Sequence, residues 1–182
     1  MTKGVIYYHR GKSCIPRLCV SISSLRKHYG GNVCVIQEGP MEDWLRNFLK
    51  DFDVQIKDVP EQDIPTLVRK SLVWKDSPYD ITMYLDVDTI VMETVDEFIQ
   101  RIEEYPFVAT WFSGWQTTGG SMQKRIKDWN KVNPDFIQPA LDYGKAINTG
   151  IMGWQKNASI LPAYSSLTKL GNEKKMWKTC FR

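Results

Sequence analysis

The feature that most constrains the fold is the regular alternation of strand-like and helix-like segments through the first half of the chain. Apolar runs at residues 5–8, 32–36, 54–56 and 81–85 are rich in the β-branched and aromatic residues typical of strands. Between them, apolar residues recur at helical spacing, as in the stretch that follows Pro16. This order predicts an α/β, three-layer domain with a mostly parallel sheet and helices on both faces.

The remaining elements are predicted from the same kinds of pattern. The first helix is expected to open at Pro16 and to stop at Gly30 and Gly31, and Thr94-Val-Asp-Glu97 has the form of a capping box that opens a later helix. Further helices are predicted at residues 44–52, at about 66–74, around residues 122–129, and from about 158 to 170. Further strands are predicted at residues 107–112 and 146–154, the second interrupted at Asn148-Thr-Gly150.

Composition narrows the class of protein. The 182 residues suffice for one domain with a substantial core, so residues 1–182 are interpreted as a single domain. A net charge of +3 is too small to indicate nucleic-acid binding. No apolar run approaches the roughly 20 residues of a transmembrane helix, and the N-terminus does not resemble a signal peptide. The four cysteines lack paired spacing, which is typical of reduced thiols in a cytoplasmic protein.

Two aspartates stand in an otherwise apolar, strand-like run, Ile81-Thr-Met-Tyr-Leu-Asp-Val-Asp-Thr-Ile-Val-Met92. Aspartate is depleted in strands, and burying an unpaired carboxylate is costly. If Asp86 and Asp88 continue the strand, their side chains point to one face, where two carboxylates repel unless a cation or a shared proton lies between them. The alternative is a pair of exposed aspartates on an edge strand. The pattern favours a metal or acid/base site at the carboxyl end of the strand, where ligands bind in parallel sheets.

A site made only of carboxylate oxygens suits Mg²⁺ or Mn²⁺ rather than zinc or copper. His9 and His28 are the only histidines, which argues against a histidine-rich zinc site. With few protein ligands, such a metal commonly completes its coordination with substrate phosphates, so the pattern indicates a nucleoside diphosphate or triphosphate. The sequence contains neither a P-loop motif nor a Gly-x-Gly-x-x-Gly motif.

Four segments together resemble one family. Leu85-Asp-Val-Asp-Thr-Ile-Val91 is similar to the Asp-x-Asp motif of nucleotide-sugar glycosyltransferases of the GT-A fold, and specifically of the glycogenin-like family 8. Cys19-Val-Ser-Ile-Ser-Ser-Leu-Arg-Lys-His-Tyr29 resembles the first helix of that family. Lys70-Ser-Leu-Val-Trp74 resembles its lysine helix, and Ile147-Asn-Thr-Gly-Ile-Met152 resembles its Asn-x-Gly strand. The resemblance covers the chain from Gly4 to about Leu170.

The resemblance implies roles for individual residues. Asp86 and Asp88 would hold the metal, and Lys70 would place a positive charge on the donor diphosphate. Asn148 would hydrogen-bond the donor sugar, and Gly150 would let the backbone approach it. The full donor-binding set is Tyr8, His9, Lys70, Asp86, Asn148, Thr149 and Gly150, with Tyr8 and His9 placed where the family receives the nucleotide base. Trp111 and Trp115 are candidates for contact with an acceptor sugar.

Each of these residues also has a structural alternative. Lys70 could be a solvated helix lysine, Asn148-Thr-Gly150 a simple bulge, and Tyr8 a core residue. Trp111 and Trp115 could likewise be core aromatics.

The expected activity is transfer of a hexose from a nucleoside-diphosphate sugar, such as a UDP-sugar, to a hydroxyl of a glycan, protein or lipid acceptor, with Mn²⁺ or Mg²⁺ as cofactor. The resemblance implies retention of configuration, although no nucleophile is evident in the sequence. The alternatives are a non-catalytic sugar-nucleotide-binding or interaction protein, a nucleotidyltransferase, and a haloacid-dehalogenase-type phosphatase. In such a phosphatase the Asp-x-Asp motif normally ends the first strand, and the threonine falls four positions after the first aspartate, whereas Thr89 lies three after Asp86.

Two parts of the family pattern are missing from the sequence. Glycogenin-like enzymes usually carry an acidic motif after the Asn-x-Gly strand and a late histidine that completes the metal site, yet no histidine follows His28. An apolar edge near Trp177 and Phe181 would also be left uncovered. Either the chain is a minimal variant in which water or phosphate fills the third metal position, or it is a fragment of a longer protein. We expect the fragment, with weak metal binding in the absence of nucleotide.

Overall fold

The computed structural model describes residues 1–112, 146–162 and 165–166. Its strands are β1 (Lys3–Arg10), β2 (Asn32–Glu38), β3 (Val54–Val59), β4 (Ile81–Leu85), β5 (Phe107–Phe112) and β6 (Ala146–Gln155). Its helices are α1 (Ile15–Arg26), α2 (Asp43–Asp51), α3 (Thr66–Lys70) and α4 (Asp96–Glu104), with a 3₁₀ turn at Val73–Lys75. The elements follow the strand–helix alternation that the sequence predicts.

The six strands form one sheet in the order β3-β2-β1-β4-β6-β5. Strands β1 to β4 are mutually parallel where they pair, whereas β6 runs antiparallel to both of its neighbours. The chain crosses from β3 past β2 and β1 to reach β4, so β4 lies in the middle of the sheet. The prediction of a mostly parallel sheet is confirmed.

Apolar side chains cover both faces of this sheet. Along β1, Val5 and Tyr7 belong to one buried cluster, and Ile6 and Tyr8 belong to another, as expected for alternating strand residues. The first cluster is completed by α1, α2 and α4, whose buried apolar residues are Ile15, Leu18, Ile22, Leu25, Leu45, Leu49, Ile99 and Ile102. The second cluster includes Val73 of the 3₁₀ turn and Leu161, which is helical. Both faces of the sheet are therefore covered, which gives the predicted three layers.

Two element boundaries differ from the sequence-based expectation. Helix α1 ends at Arg26 rather than at Gly30, and the helix expected over residues 66–74 divides into α3 and the 3₁₀ turn. Ser71 accounts for part of this division, because its hydroxyl donates to the carbonyl oxygen of Val68 at 2.7 Å. Short polar side chains bond the local backbone in this way and compete with regular helix.

The predicted capping box at Thr94 is wrong. Helix α4 begins at Asp96, with Val95 at the N-cap position and no side-chain capping bond. The Thr94 hydroxyl instead accepts the Asp96 N–H at 3.2 Å and donates to the Asp96 carboxylate at 2.7 Å. This bond to a residue two positions on forms a local turn that precedes the helix instead of capping it.

The predicted helix around residues 122–129 lies outside the described residues, as do residues 163–164 and 167–170 of the helix predicted over residues 158–170. Residues 160–162 and 165–166 of the latter are helical. Among the residues that the structure does describe, no helix has the length and apolar character needed to span a membrane.

Candidate functional site

The candidate site begins where β4 ends. The backbone N–H of Asp86 donates to the carbonyl oxygen of Gly150 at 2.8 Å, and the N–H and hydroxyl of Thr89 both donate to the Asp86 carbonyl oxygen, at 3.1 and 2.7 Å. These bonds make residues 86–89 a turn. The expectation that Asp86 and Asp88 share one face of a continuing strand is therefore wrong, because the strand stops at Leu85 and the two aspartates lie in the turn after it.

The Asp86 carboxylate lies in a polar cluster at the carboxyl end of β4. The Lys70 ammonium lies 2.7 Å from Oδ1 and 2.8 Å from Oδ2, and the Tyr84 hydroxyl donates to Oδ1 at 2.6 Å. The same ammonium lies 5.2 Å from the centre of the Tyr84 ring, within the range of a cation–π contact. Tyr84 thus holds both members of the ion pair, and sequence patterns missed it because a tyrosine in an apolar strand is typical of a core residue.

The strand β6 brings two further predicted residues to this cluster. Asn148 Oδ1 accepts the Gly150 N–H at 2.9 Å, inside a β-bulge where the pairing with β5 shifts between Ala109 and Thr110. A Cβ placed on Gly150 would lie 3.0 Å from Asn148 Oδ1 and 3.2 Å from Asp86 Oδ2. The absence of a side chain at this position keeps open the small space between these two oxygens. Thr149, which lies between Asn148 and Gly150 in the sequence, is half-buried.

Asp88 has different surroundings from Asp86. It is exposed, and it lines a cavity of about 300 Å³ together with Pro16, Arg17 and Val20 of α1 and with Thr89 and Ile90. Across the described ranges, no hydrogen bond or ion pair holds its carboxylate. Among the residues that the structure describes, the Asp88 carboxylate thus has no partner, whereas the Asp86 carboxylate is paired with the Lys70 ammonium.

Helix α1 fixes the segment that follows the aspartates. Ser21 Oγ lies 3.0 Å from Thr89 Oγ1, and Ser24 Oγ accepts the Val91 N–H at 3.0 Å. Both serines belong to the segment that resembles the first helix of the glycosyltransferase family. In this structure, these two serines attach the loop after β4 to α1.

The Arg26 side chain of the same segment ties α1 to the loops at the other end of the sheet. Its guanidinium donates to the carbonyl oxygens of Phe52 at 2.8 Å and of Gly31 and Asp53, each at 2.6 Å. With a longer bond to the Tyr29 carbonyl oxygen at 3.3 Å, one arginine supplies donors to four carbonyl groups in two loops, a geometry that suits its planar, five-donor fork. The Ser-Leu-Arg part of the resemblance therefore has a structural explanation.

Tyr8 and His9 are buried in this structure. Tyr8 is 6% exposed; its hydroxyl donates to Glu38 Oε2 at 2.9 Å, and the Arg69 guanidinium lies 5.7 Å from its ring centre. Burial, followed by the hydrogen bond and charge of Glu38, raises the pKa of Tyr8 and keeps it a neutral donor. His9 is 2% exposed, with Nδ1 2.7 Å from Gln37 Oε1. Stacking on a nucleotide base would require these rings to become exposed, and that role stays a prediction.

A buried charge network next to the site was missed by sequence reasoning. The Glu38 side chain is fully buried at the end of β2 and lies 2.7 Å from the guanidinium of Arg69, which also contacts Asp76 at 2.6 Å. The Gln62 N–H donates to Glu38 Oε1 at 2.9 Å. A carboxylate that ends an otherwise apolar strand was the available signal. Because Arg69 precedes Lys70, this network fixes the α3 segment from which Lys70 reaches Asp86.

The contacts of Trp111 and Trp115, the two residues predicted to bind an acceptor, cannot be described. The backbone of Trp111 belongs to β5, but its side chain and all of Trp115 lie outside the described residues. Their proposed contact with an acceptor sugar stays a prediction.

The donor atoms at this site fit a small hard cation. Asp86, Asp88 and Asn148 offer only oxygen, and Gly150 leaves space between the oxygens of Asp86 and Asn148. In the part of the chain that the structure describes, no group of three or more His, Cys, Asp or Glu side chains could hold a metal ion by itself. The residues therefore fit Mg²⁺ or Mn²⁺, which accept few protein ligands and complete their coordination with phosphate and water. They do not fit a self-sufficient zinc site.

No protein-family model matches the chain, and no curated protein matches its sequence. The fold, however, is similar to that of solved glycosyltransferases. Apo GlyE of Streptococcus pneumoniae TIGR4 is 14% identical, with a TM-score of 0.57 over 95% of this chain and 39% of GlyE. The galactosyltransferase LgtC, solved with donor and acceptor sugar analogues, is 14% identical, with a TM-score of 0.61 over 98% of this chain and 70% of LgtC.

A fungal structure shows the same likeness. The core-mannan synthase CmsA (Ktr4) of Aspergillus fumigatus in its Mn/GDP form is 10% identical, with a TM-score of 0.53 over 94% of this chain and 65% of CmsA. The chain spans about two fifths of the length of GlyE. At this level of identity the comparison establishes the fold alone: the chain has the mixed α/β fold of the GT-A glycosyltransferases.

Proposed function

We propose that the protein is a metal-dependent glycosyltransferase that moves a hexose from a nucleoside-diphosphate sugar, probed first as a UDP-sugar, to an acceptor hydroxyl. The observation that carries the proposal is the meeting of Lys70, Asp86, Asn148 and Gly150 at the carboxyl end of β4. These residues come from three separate elements, and the edge at which they meet is where ligands bind in parallel sheets. The solved structures with sugar analogues and with Mn/GDP support this choice of ligand class.

The residues of the cluster suit two parts of a nucleotide sugar, the diphosphate and the sugar. The Asp86 and Asp88 carboxylates would hold Mg²⁺ or Mn²⁺ together with the diphosphate, and the Lys70 ammonium would donate to a diphosphate oxygen. The Asn148 amide would orient the sugar, and Gly150 would admit it without a steric clash, because the glycine has no side chain to fill the space between Asn148 and Asp86. The site thereby positions the donor by charge at one end and by hydrogen bonding at the other.

The leaving group of the reaction is a diphosphate, which gains negative charge as the glycosidic bond breaks. A bound divalent cation would supply Lewis-acid stabilisation of that charge. Lys70 would add a positive charge at the same place, and contacts with Tyr84 and Asp86 hold its ammonium beside the site before the donor binds. The protein's own contribution would therefore be a lysine held within reach of the departing diphosphate.

Calorimetric titration with UDP, with and without Mn²⁺, tests the proposal. The wild-type protein should bind UDP only when Mn²⁺ is present, and Asp86→Asn and Asp88→Asn should each abolish the metal-dependent part of binding. Asp51→Asn is the matched control, because Asp51 ends α2 and so lies at the opposite edge of the parallel strands. Unchanged UDP affinity in Asp88→Asn would refute the assignment of the metal site.

Assays of turnover separate the transferase from its alternatives. Incubation with UDP-sugars and a panel of glycan, peptide and lipid acceptors should yield UDP and a glycosylated product. If UDP binds in a metal-dependent way but neither sugar transfer nor slow release of free sugar is detected, the protein is a non-catalytic sugar-nucleotide-binding protein. Release of phosphate from a generic phosphomonoester in an Asp86-dependent manner would indicate the phosphatase instead, although the Asp-x-Asp segment follows the fourth strand of the chain rather than the first.

A further inference from the structure

The ion pair between Lys70 and Asp86 has a consequence for the order in which ligands bind. We propose that Lys70 is the resident counter-cation of Asp86 in the ligand-free protein, and that an incoming diphosphate draws it away and frees the carboxylate for a divalent metal. The inference rests on the proposed function and specifies its regulation. It predicts that metal and diphosphate bind together and that the metal alone is largely excluded.

The geometry shows how completely Lys70 occupies this carboxylate. Its ammonium lies within 2.8 Å of both oxygens, so it blocks the bidentate face that a cation would approach. The Tyr84 hydroxyl bonds Oδ1 from a further direction at 2.6 Å. The Lys70 side chain is 11% exposed and that of Asp86 is 31% exposed, so solvent screens their attraction only in part. Asp86 is thus already satisfied before any metal arrives.

A second cation would therefore bind Asp86 at a disadvantage. A divalent ion placed on the same carboxylate would stand within a few ångströms of the Lys70 ammonium, and like charges at that distance repel strongly where water is partly excluded. Within the described ranges, Lys70 is the single cation in ion-pair contact with Asp86. The neighbouring Arg69 is fully engaged with Glu38 and Asp76 and does not compete for Asp86.

A diphosphate changes this balance by offering the ammonium another partner. Lysine carries three donors on a flexible stem, so it can exchange one anion for another by rotation about its side-chain bonds. The Tyr84 ring lies 5.2 Å from the ammonium and provides a favourable surface along which it can move. Once Lys70 contacts the diphosphate, the Asp86 carboxylate loses its counter-cation and becomes available to the metal.

The scheme makes the two ligands cooperative in a reciprocal way. If the diphosphate raises the affinity for metal by some factor, the metal must raise the affinity for diphosphate by the same factor. Part of this cooperativity comes from direct contact between metal and phosphate, and part comes from the release of Asp86 by Lys70. A variant without the ammonium loses only the second part, which makes the two contributions separable by experiment.

The test measures Mn²⁺ binding directly, by electron paramagnetic resonance of free Mn²⁺, with and without UDP. Lys70→Met keeps the length of the side chain and removes the charge. Lys75→Met is the control, because Lys75 is exposed and contacts the Trp74 ring but no carboxylate within the described ranges. In the absence of UDP, Lys70→Met should bind Mn²⁺ at least about fivefold more tightly than wild type, the lower end of typical coupling between sites. UDP should then raise its Mn²⁺ affinity by a smaller factor than in wild type.

Thermal unfolding provides a second measurement. Lys70→Met should be less stable than wild type without metal, and Mn²⁺ alone should raise its Tm more than it raises the wild-type Tm, because the metal replaces the missing ammonium. Lys70→Gln serves the same purpose if the methionine variant folds poorly. Unchanged or weaker Mn²⁺ binding in Lys70→Met without UDP, while wild type binds Mn²⁺ with UDP, overturns the counter-cation role and leaves the proposed function intact. Absence of Mn²⁺ binding to wild type even with UDP overturns both.

Discussion

The backbone N–H of Asp86 donates to the carbonyl oxygen of Gly150 at 2.8 Å, and this bond joins the turn after β4 to the bulge in β6. The two segments are 64 positions apart in the chain, yet each carries a side-chain oxygen of the candidate site, from Asp86 and from Asn148. Because the bond fixes the distance between the two segments, a change in β6 should alter the position of the Asp86 carboxylate.

Substitution of Gly150 by alanine tests this coupling. The new Cβ would lie 3.0 Å from Asn148 Oδ1 and 3.2 Å from Asp86 Oδ2, so one of these groups must shift by a few tenths of an ångström. We expect UDP affinity in the presence of Mn²⁺ to fall about tenfold, a cost on the order of 1.4 kcal/mol, with little change in Tm. Gly30→Ala is the control, because nothing lies within 4 Å of a Cβ at that position. Equal UDP affinities in the two variants would show that the space beside Gly150 is not used.

Tyr84→Phe should separate the orientation of Asp86 from its charge. The change keeps the ring that stacks near Trp154 and faces Lys70, and it removes only the hydroxyl that donates to Asp86 at 2.6 Å. A hydrogen bond to a charged group contributes roughly 1.5–3 kcal/mol, so we expect the free energy of unfolding to fall by up to that amount. Affinity for UDP with Mn²⁺ should fall as well, because the carboxylate loses its fixed orientation.

Urea unfolding and calorimetry on the same preparations check both effects of Tyr84→Phe. Tyr105→Phe is the matched control, since Tyr105 is 53% exposed and lies at the end of α4. A loss of stability without any loss of UDP affinity would mean that Tyr84 supports the fold but does not position Asp86 for binding.

Glu38→Gln should be among the most destabilising single polar changes in the described part of the chain. Glu38 is fully buried and accepts bonds from Tyr8, from Arg69 and from the Gln62 N–H. Its replacement by glutamine removes the charge that compensates Arg69, and it turns an amide N–H group toward groups that are themselves hydrogen-bond donors. Breaking a buried ion pair typically costs about 3–5 kcal/mol.

The control for Glu38→Gln is Asp58→Asn, which breaks the exposed pair between Asp58 and Arg46. Surface pairs contribute roughly 0–1 kcal/mol, so this variant should unfold at nearly the wild-type urea concentration. Similar small shifts in both variants would show that the buried network contributes little to stability. Because Arg69 precedes Lys70, Glu38→Gln should also weaken UDP binding at temperatures where the protein remains folded.

The residues that sequence reasoning found, and those it missed, differ in a physical way. Asp86 was singled out because it interrupts an apolar strand-like run, and parallel topology places the end of that strand where ligands bind. Lys70, Asn148 and Gly150 were expected only from the resemblance to the glycosyltransferase segments. Tyr84 was not expected from either source, because its hydroxyl acquires a role only once β4 ends beside it. The bond from the Asp86 N–H to the Gly150 carbonyl oxygen is tertiary, so the end of the strand at this point could not be derived from periodicity.

The same distinction explains the other differences between expectation and structure. The contact of Glu38 with Arg69 joins residues 31 positions apart and depends on how α3 packs against the end of β2. The capping box at Thr94 was wrong because of a local contact rather than a long-range one: the bond from Thr94 to Asp96 competes with the capping geometry. The succession of strands and helices, and the mostly parallel sheet that it implies, were predictable because they follow from side-chain periodicity along whole elements.

The last prediction concerns stability at alkaline pH. Burial, opposed by the Ser21 hydrogen bond and the charge of Arg26, raises the pKa of Tyr7 from 10.0 to about 12. An unfolded chain releases this proton near pH 10, whereas the folded protein retains it, so the folded state binds more protons between these values. The stability that depends on neutral Tyr7 is fully present below about pH 10 and is lost as pH rises toward about 12. Cys34, whose pKa burial raises from 9.0 to about 11, acts in the same direction from a lower pH.

Tyr7→Phe should therefore flatten the alkaline part of the stability profile. The variant releases one proton fewer on unfolding, so its free energy of unfolding declines less steeply with pH, by about 1.4 kcal/mol per pH unit between pH 10 and 12. The other buried phenols and Cys34 maintain the remaining decline. Urea midpoints at pH 8, 10 and 11 measure the slope directly. At pH 8 the variant should be slightly less stable than wild type, because Ser21 loses the phenol oxygen that it bonds at 3.1 Å. Its stability relative to wild type should improve steadily above pH 10, and parallel profiles for the two proteins would show that Tyr7 ionises in the folded protein as easily as in the unfolded chain.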